Sequence, residues 1–321
     1  MAKAKTPLTN DNTALQPRTK FDGPALKLTF PGLRIGVAEY AEGPTGCTVF
    51  HFPEGVATAV DIRGGSVGAI ETDYGWHHAI CFAGGSLFGL EAAAGVRAEL
   101  LARQDYAIDW GRLPLVSGAI IWDWGGRDNA VYPDKELGRA ALGAAREGRF
   151  PLGPGGAGRS ATVGGGAGLG RSEAAGQGAA FGQIGRTKVA VFTVVNALGA
   201  IVDNRGRVVR GNLDPKSGKR RHPGERLAEK AGKSGKGELE GRNTTLTLAV
   251  TNRRLDRRAL EQWGKQVHSS MSQAIQPFHT QFDGDILYAA STNQVETKTV
   301  DEFDLGIMGA QLAWDAVLKA Y

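Results

Sequence analysis

Apolar and polar residues alternate along most of this chain in short bursts, punctuated by Gly and Pro. A period of two marks strands, and a period between three and four marks helices. Residues 33–40, 47–52 and 57–63 read as strands bounded by Gly and Pro. From Gly84 a helical pattern runs to about Arg103, with Leu87, Leu90, Val96, Leu100 and Leu101 approximating one apolar face. Residues 119–124 read as a buried strand. Residues 134–147 are Ala-rich, predict a helix and stop at Gly148. Residues 187–196 predict a strong strand ending at Asn196, and 245–251 alternate as a second. Leu260, Trp263, Val267, Met271 and Ile275 lie at helical spacing over 256–275. Residues 280–290 suggest loop plus strand, and 301–321 a last amphipathic helix.

The order is mixed rather than the regular strand–helix alternation of a doubly wound fold. It predicts an α+β chain with two layers of sheet covered by helices. Residues 1–25 are polar and aperiodic and read as a flexible N-terminal arm, with 26–321 as a single domain. No internal repeat is visible.

Composition narrows the class. The 321 residues are 41% hydrophobic, too apolar for a disordered chain, and 22% charged, near the globular average. Glycine is the outlier at 47 residues. Collagen needs a strict three-residue period and far more proline, so these glycines serve tight turns, close packing or backbone approach to a ligand. Thirteen fall between residues 153 and 185. Only two cysteines, Cys47 and Cys81, are present, which excludes a disulfide framework; they read as small buried hydrophobes. The first lysines are followed by no apolar run, so no signal peptide is expected. No uncharged apolar stretch of about 18 residues exists to cross a membrane. A cytoplasmic location is the expectation.

The net charge of +5 belongs to one segment. Residues 205–242 hold twelve Lys/Arg against five Asp/Glu, and the rest of the chain has a slight acidic excess. The segment has no aromatic residue to stack bases on, which argues against a nucleic-acid partner. It reads as a basic flexible loop, or as a surface that steers an anionic partner.

Several motifs fail their context. Gly153-Pro-Gly-Gly-Ala-Gly158 matches the dinucleotide pattern but follows no strand. No phosphate-binding loop of the Gly-Lys-Ser/Thr type exists. Ser86 resembles a nucleophile elbow, but Phe88 stands where the second glycine is required. It reads rather as a helix N-terminal serine that caps backbone donors. His77 and His78 lack metal-ligand spacing and read as structural. Asp283-Gly-Asp285 is too short for a calcium loop and by itself reads as an exposed turn. No metal or cofactor is expected.

The informative junction is Asn243-Thr244-Thr245, where a long loop meets a regular strand. A hydroxyl there can attack the preceding carbonyl, and hydrolysis of the resulting ester cuts the chain. Thr244 would then carry a free α-amine beside its hydroxyl. That amine has a reference pKa of about 7.7–8.0, so a useful fraction is neutral near pH 7. Nucleophile and base would share one residue. An ordinary strand start is the plain alternative.

Seven blocks in order tip the balance: Asp61-Ile-Arg-Gly-Gly-Ser with Glu71-Thr-Asp; Ala83-Gly-Gly-Ser-Leu-Phe-Gly-Leu; Leu113-Pro-Leu-Val with Ala119-Ile-Ile-Trp-Asp; Ala161-Thr-Val-Gly-Gly-Gly-Ala-Gly; Val194-Val-Asn-Ala-Leu-Gly; Asn243-Thr-Thr-Leu; and His279-Thr-Gln-Phe-Asp-Gly-Asp. Over residues 27–318 the chain resembles the DmpA/ArgJ-like N-terminal-nucleophile hydrolases, which include β-peptidyl aminopeptidases and nylon-oligomer hydrolases. The resemblance implies a four-layer αββα sandwich. It also implies a precursor cut into an α-chain of residues 1–243 and a β-chain of 244–321, assembled as a tetramer-like homo-oligomer. Thr244 is implied as nucleophile, Asn196 as donor to the oxyanion, and Asp283 with Asp285 as the acidic pair that orients amine and substrate. Backbone N–H groups in the stretch Gly164-Gly165-Gly166 are expected to complete the oxyanion site, with Trp122 beside the substrate. The acidic pair resembles the nylon-oligomer enzymes more than the aminopeptidases, which tend to carry Ser and Glu there.

Two departures stand out. Gly165 and Gly166 follow Thr-Val-Gly where nylon-oligomer hydrolases carry a lysine, and Trp122 replaces an aromatic hydroxyl. The function that the resemblance implies is hydrolysis of linear amides, nylon-type oligomers or peptides, through an acyl-enzyme. The alternatives are a β-peptidyl or D-amino-acid aminopeptidase of the same family and, from another class, a non-catalytic protein that binds an anion with the glycine-rich loop.

Overall fold

Val49 and Phe50 are neighbours in sequence, yet their side chains enter different cores. The same is true of Cys81 and Phe82, and of Val191 and Phe192. Successive side chains of a strand point to opposite faces, so a strand that is apolar on both faces must be covered on both. That requirement generates the layers of this molecule. The computed structural model describes residues 7–166, 170–225, 243–297 and 299–321.

A nine-stranded sheet forms the frame. Its strands are β1 (Arg34–Tyr40), β2 (Thr45–Ile62), β3 (Ala69–Ile70), β4 (Trp76–Ala83), β5 (Val116–Ile120), β6 (Gln177–Ile184), β7 (Thr187–Asn196), β8 (Thr244–Arg253) and β9 (Ile286–Val295). The helices are α1 (Glu91–Arg103), α2 (Lys135–Gly143), α3 (Arg257–Ser270) and α4 (Glu302–Leu318). The strand order is β6-β7-β8-β9-β2-β4-β5-β3, with β1 also pairing with β2. Most neighbours are antiparallel. The parallel pairs β4–β5 and β8–β9 are each joined through a helix, α1 and α3 respectively.

The 18-residue β2 belongs to both halves of the sheet. Its first part pairs with β1 and β4, and residues 57–62 pair with β9. Between them the register shifts around Pro53 and Gly55, a place where a bulge tolerates a residue that cannot donate to the ladder. The two halves face each other across a central core of Phe50, Phe82, Phe192, Leu248 and Tyr288. Rings meet across it, Phe50 to Phe192 at 5.1 Å and Phe82 to Tyr288 at 6.0 Å between centroids. α1 and α2 cover the outer face of one half through Val96, Leu137 and Leu142. α3 and α4 cover the other through Trp263, Val267, Met308 and Val317. The result is the expected αββα sandwich.

The structure departs from the sequence reading in instructive places. The two strands expected at 47–52 and 57–63 are one bulged strand. β6 lies inside the glycine-rich stretch, where small residues conceal its alternation. Gly178 in β6 is required by packing: a Cβ there would lie 2.0 Å from the carbonyl oxygen of Ala316 in α4. The terminal arm is tied down from residue 7 onward; Arg18 forms a bridge with Glu39, and Asn10 binds Asp134 at 2.9 Å. The basic stretch 205–225 is likewise ordered. Val208–Arg210 pairs with Ala200–Val202, and Arg220 binds Glu173 at 2.6 Å. Carboxylates absorb much of its charge. Residues 226–242 of the basic loop lie outside the described residues. Among the described residues, no helix is long and apolar enough to cross a membrane.

Phe192 is fully buried between Phe50 and Phe150, at 5.1 and 5.0 Å. Phe192→Ala is expected to lower the unfolding free energy by about 3–5 kcal/mol in urea titrations. A loss under about 1 kcal/mol would mean that the central core is not packed as described.

Candidate active site

Thr244 opens β8 directly opposite Asn196, the last residue of β7. Both are buried, at 3% and 2% exposure. β9 runs parallel to β8 with Leu246 beside Ile286, so the turn preceding β9 brings Asp283 and Asp285 alongside Thr244. Asn243 bridges Asp283 in that same register.

The acidic turn is not exposed, as Asp283-Gly-Asp285 alone suggests; both carboxylates are buried. The reason is a second glycine block packed against it. A Cβ on Gly64 would lie 2.2 Å from the Asp285 nitrogen, and one on Gly65 would lie 2.6 Å from the Gln281 carbonyl oxygen. Gly64 and Ser66 donate backbone bonds to the carbonyls of Asp285 and Asp283, at 3.2 and 2.9 Å. Each carboxylate is saturated with donors, as burial demands. Asp285 Oδ1 accepts the Thr245 N–H at 2.8 Å, and its Oδ2 accepts the His279 N–H at 3.0 Å. Asp283 accepts the Thr280 hydroxyl at 2.5 Å and the Leu198 N–H at 3.2 Å. Burial, reinforced by the neighbouring Asp285 charge, raises the Asp283 pKa to about 6.

The Thr244 hydroxyl donates to the carbonyl oxygen of Asn243 at 2.7 Å, and the Gly284 N–H reaches the same oxygen at 2.7 Å. The Asn196 side chain is clamped at both ends. Its Oδ1 accepts the Thr162 N–H at 3.0 Å, and its Nδ2 donates to the Trp122 carbonyl at 2.9 Å. Thr244 and Asn243 open onto a cleft of about 350 Å³, whose walls include Val67, Leu87, Ile120 and Trp122, with Ser66 and Ser86 as polar members.

The glycine loop takes a different place from the one expected. Gly164 donates to the Gly199 carbonyl at 2.9 Å and Gly165 to Asn212 Oδ1 at 3.0 Å. These N–H groups are therefore already occupied, and neither residue lines the cleft. Both have positive φ, 72° and 80°, and a Cβ on Gly164 would lie 2.4 Å from the Asn212 nitrogen. Gly166 packs on Leu198, whose N–H holds Asp283. The loop thus supports the acidic turn from behind. Residues 167–169 lie outside the described residues. Lys188 does not replace the missing lysine. It sits at the far end of β7, about 26 Å of strand from Asn196, bound to the Thr29 carbonyl.

Ser86 begins a short 3-10 turn, but the capping position is Gly85 and no side-chain cap forms. Instead Ser86 and Leu87 stand in the cleft wall. Leu87 was expected on an apolar helix face; it is 64% exposed because that turn precedes α1. Asp123, missed in the sequence, fixes this wall by accepting the Gly85 N–H at 2.9 Å while paired with Arg127 at 2.8 Å. His77 and His78 are structural: His77 meets Thr58 Oγ1 at 2.7 Å and His78 accepts the Leu115 N–H at 3.1 Å. Among the described residues, no cluster of His, Cys, Asp or Glu could hold a metal.

This architecture has close counterparts. The L-aminopeptidase D-Ala-esterase/amidase from Ochrobactrum anthropi superposes with a TM-score of 0.65 at 15% identity, covering 94% of this chain and 88% of that one. The β-aminopeptidase of a Burkholderia species gives 0.61 at 16%, over 93% and 88%. These likenesses define the class, the Ntn-hydrolase fold. Residues 29–320 match the sequence model of Peptidase family S58. The chain belongs to that family and is a hydrolase acting on amide bonds. It is 46% identical to the 6-aminohexanoate-oligomer endohydrolase of Paenarthrobacter ureafaciens, over 97% of this chain and 90% of that protein. It is 34% identical to an uncharacterized aminopeptidase of Mycobacterium tuberculosis (strain ATCC 25618 / H37Rv), over 78% and 74%.

The Asp283 shift carries a pH signature. Its folded pKa of about 6 exceeds the ordinary 3.8, so the folded chain binds the proton more tightly. The stability this group contributes is complete below about pH 4 and is lost as pH rises through about 6. Between pH 4 and 7, the unfolding free energy of Asp283→Asn is expected to fall less steeply than that of the native chain. Parallel curves in urea titrations would contradict the assignment.

Proposed function

We propose that this chain cuts itself between Asn243 and Thr244 and then hydrolyses internal amide bonds of linear, nylon-type oligoamides. The observation that carries the reading is the placement of Thr244. A buried hydroxyl heads a strand, in contact with the carbonyl before it and facing Asn196. After cleavage the Thr244 amine is neutral in part near pH 7 and takes the hydroxyl proton as Oγ1 attacks the substrate carbonyl. Asn196 keeps a second Nδ2 hydrogen beyond the one given to Trp122, and this donates to the developing oxyanion. The substrate carbon–nitrogen bond then breaks, the Thr244 ammonium returns its proton to the departing amine, and water hydrolyses the acyl-enzyme ester to release the acid and free the Thr244 hydroxyl. Asp285 holds the backbone next to the nucleophile, and Asp283 anchors the turn that carries Asp285.

The cleft walls support an internal, uncharged segment of substrate. Val67, Leu87, Ile120 and Trp122 offer apolar surface suited to methylene chains. Among the described residues, no charged side chain lines the cleft, whereas an exopeptidase must neutralise a terminal ammonium. The curated relative of 46% identity is itself named an oligomer endohydrolase. The working enzyme is read as a homo-oligomer of processed units.

Denaturing electrophoresis is expected to show fragments of about 26 and 8 kDa from the 33.9-kDa chain, in proportion to residues 1–243 and 244–321. Thr244→Ala is expected to remain whole and inactive, and Thr244→Ser to be cut. A fully active, uncut native chain would refute the mechanism. Oligomers blocked at the amine should be cleaved as readily as free ones; a strict need for the free amine would assign the chain to the aminopeptidases instead.

A further inference from the structure

We propose that the backbone N–H of Gly284 is the oxyanion donor of the self-cleavage step. This inference rests on the reading that the chain cuts itself at Thr244. In that step Thr244 Oγ1 bonds to the Asn243 carbonyl carbon and an electron pair moves onto the carbonyl oxygen. The carbon–nitrogen bond to Thr244 then breaks, and the hydroxyl proton ends on the Thr244 nitrogen. Water hydrolyses the ester, leaving a carboxylate on Asn243 and a free amine and hydroxyl on Thr244. Negative charge gathers transiently on one atom, the Asn243 carbonyl oxygen.

That atom already has a donor fixed by the fold. The Gly284 N–H reaches it at 2.7 Å, at the short end of the amide–carbonyl range. The bond continues the parallel ladder that pairs Leu246 with Ile286, so the register of β8 and β9 aims it. Between these points the ladder is broken: the Thr245 N–H turns to Asp285 Oδ1 instead of a main-chain carbonyl. Thr244 is thus flanked by a held carbonyl on one side and a held N–H on the other. A donor set in place before charge develops costs no reorganisation during the step.

The residue type follows from the same geometry. A Cβ on residue 284 would lie 2.7 Å from Thr244 Oγ1 and 2.8 Å from the Ser66 carbonyl oxygen. Only glycine lets this main chain approach the nucleophile and the scissile carbonyl together. The neighbouring Asp283 and Asp285 are committed elsewhere, to Thr280 and Leu198 and to Thr245 and His279. Asn196 is committed in part to Trp122 and Thr162. Apart from the Thr244 hydroxyl, which is the attacking group itself, the Gly284 amide is the donor bonded to the oxygen where charge appears.

The test replaces Gly284 by glycolate in the full chain, which turns its amide into an ester and removes the N–H without adding bulk. Intact mass spectrometry follows cleavage with time. Cleavage is expected to slow by roughly 10²–10³-fold, the typical effect of losing one oxyanion donor. Cleavage at the native rate overturns the proposal while leaving self-cleavage standing. If the unmodified chain is never cut before Thr244, self-cleavage fails and this inference with it. If the ester variant does not fold, hydrogen exchange at the nitrogen-labelled Gly284 amide decides, measured in uncut Thr244→Ala. Slow exchange is expected, and exchange as fast as an open loop overturns the assignment.

Discussion

The register of three strands is the constraint on which the rest depends. β7 and β8 run antiparallel with Asn196 opposite Thr244, and β8 and β9 run parallel with Leu246 beside Ile286. A slip of one residue would send every side chain of a strand to the other face. Thr244 would leave Asn196, and the apolar residues of β8 would exchange cores. The hydrophobic alternation that separates Leu246 and Leu248 from Ala249 therefore also positions Thr244 opposite Asn196. Stability and chemistry are specified by one pattern.

Two buried carboxylates need hydrogen-bond donors, and the fold supplies these mostly from the main chain of Thr245, His279 and Leu198. Two glycine blocks make this possible. Gly64 and Gly65 let one loop close over the acidic turn, and the Gly164 loop braces it through Leu198. Strain gathers at the same place: His279, which holds Asp285, and Asn212, which holds Gly165, both have positive φ. Such conformations persist where surrounding contacts over-determine them.

Much of the fold was legible because strands buried on two faces leave strong apolar runs. β7 was placed to the residue, and the helices after Asp134, Asp256 and Asp301 begin where their acidic caps stand. β6 was illegible: glycine and alanine fill it because α4 presses on Gly178, and small residues carry little alternation. The acidic turn misled for the opposite reason. A short polar motif is exposed on average, and nothing local tells that another glycine block will bury it.

The sequence by itself determined the strand and helix pattern, the Thr244 junction and, through ordered motif blocks, the family resemblance. These are local properties, carried by periodicity, caps and short spacings. Only the tertiary structure decided what each glycine serves, that Gly164 and Gly165 brace the site rather than line it, and that Leu87 and Ser86 form the cleft wall. It also brought the Gly284 amide to the Asn243 carbonyl across some 40 residues of chain. Such contacts depend on strand register and on the close approach of backbones, and a main-chain N–H leaves no mark on the identity of its own residue beyond the absence of a side chain.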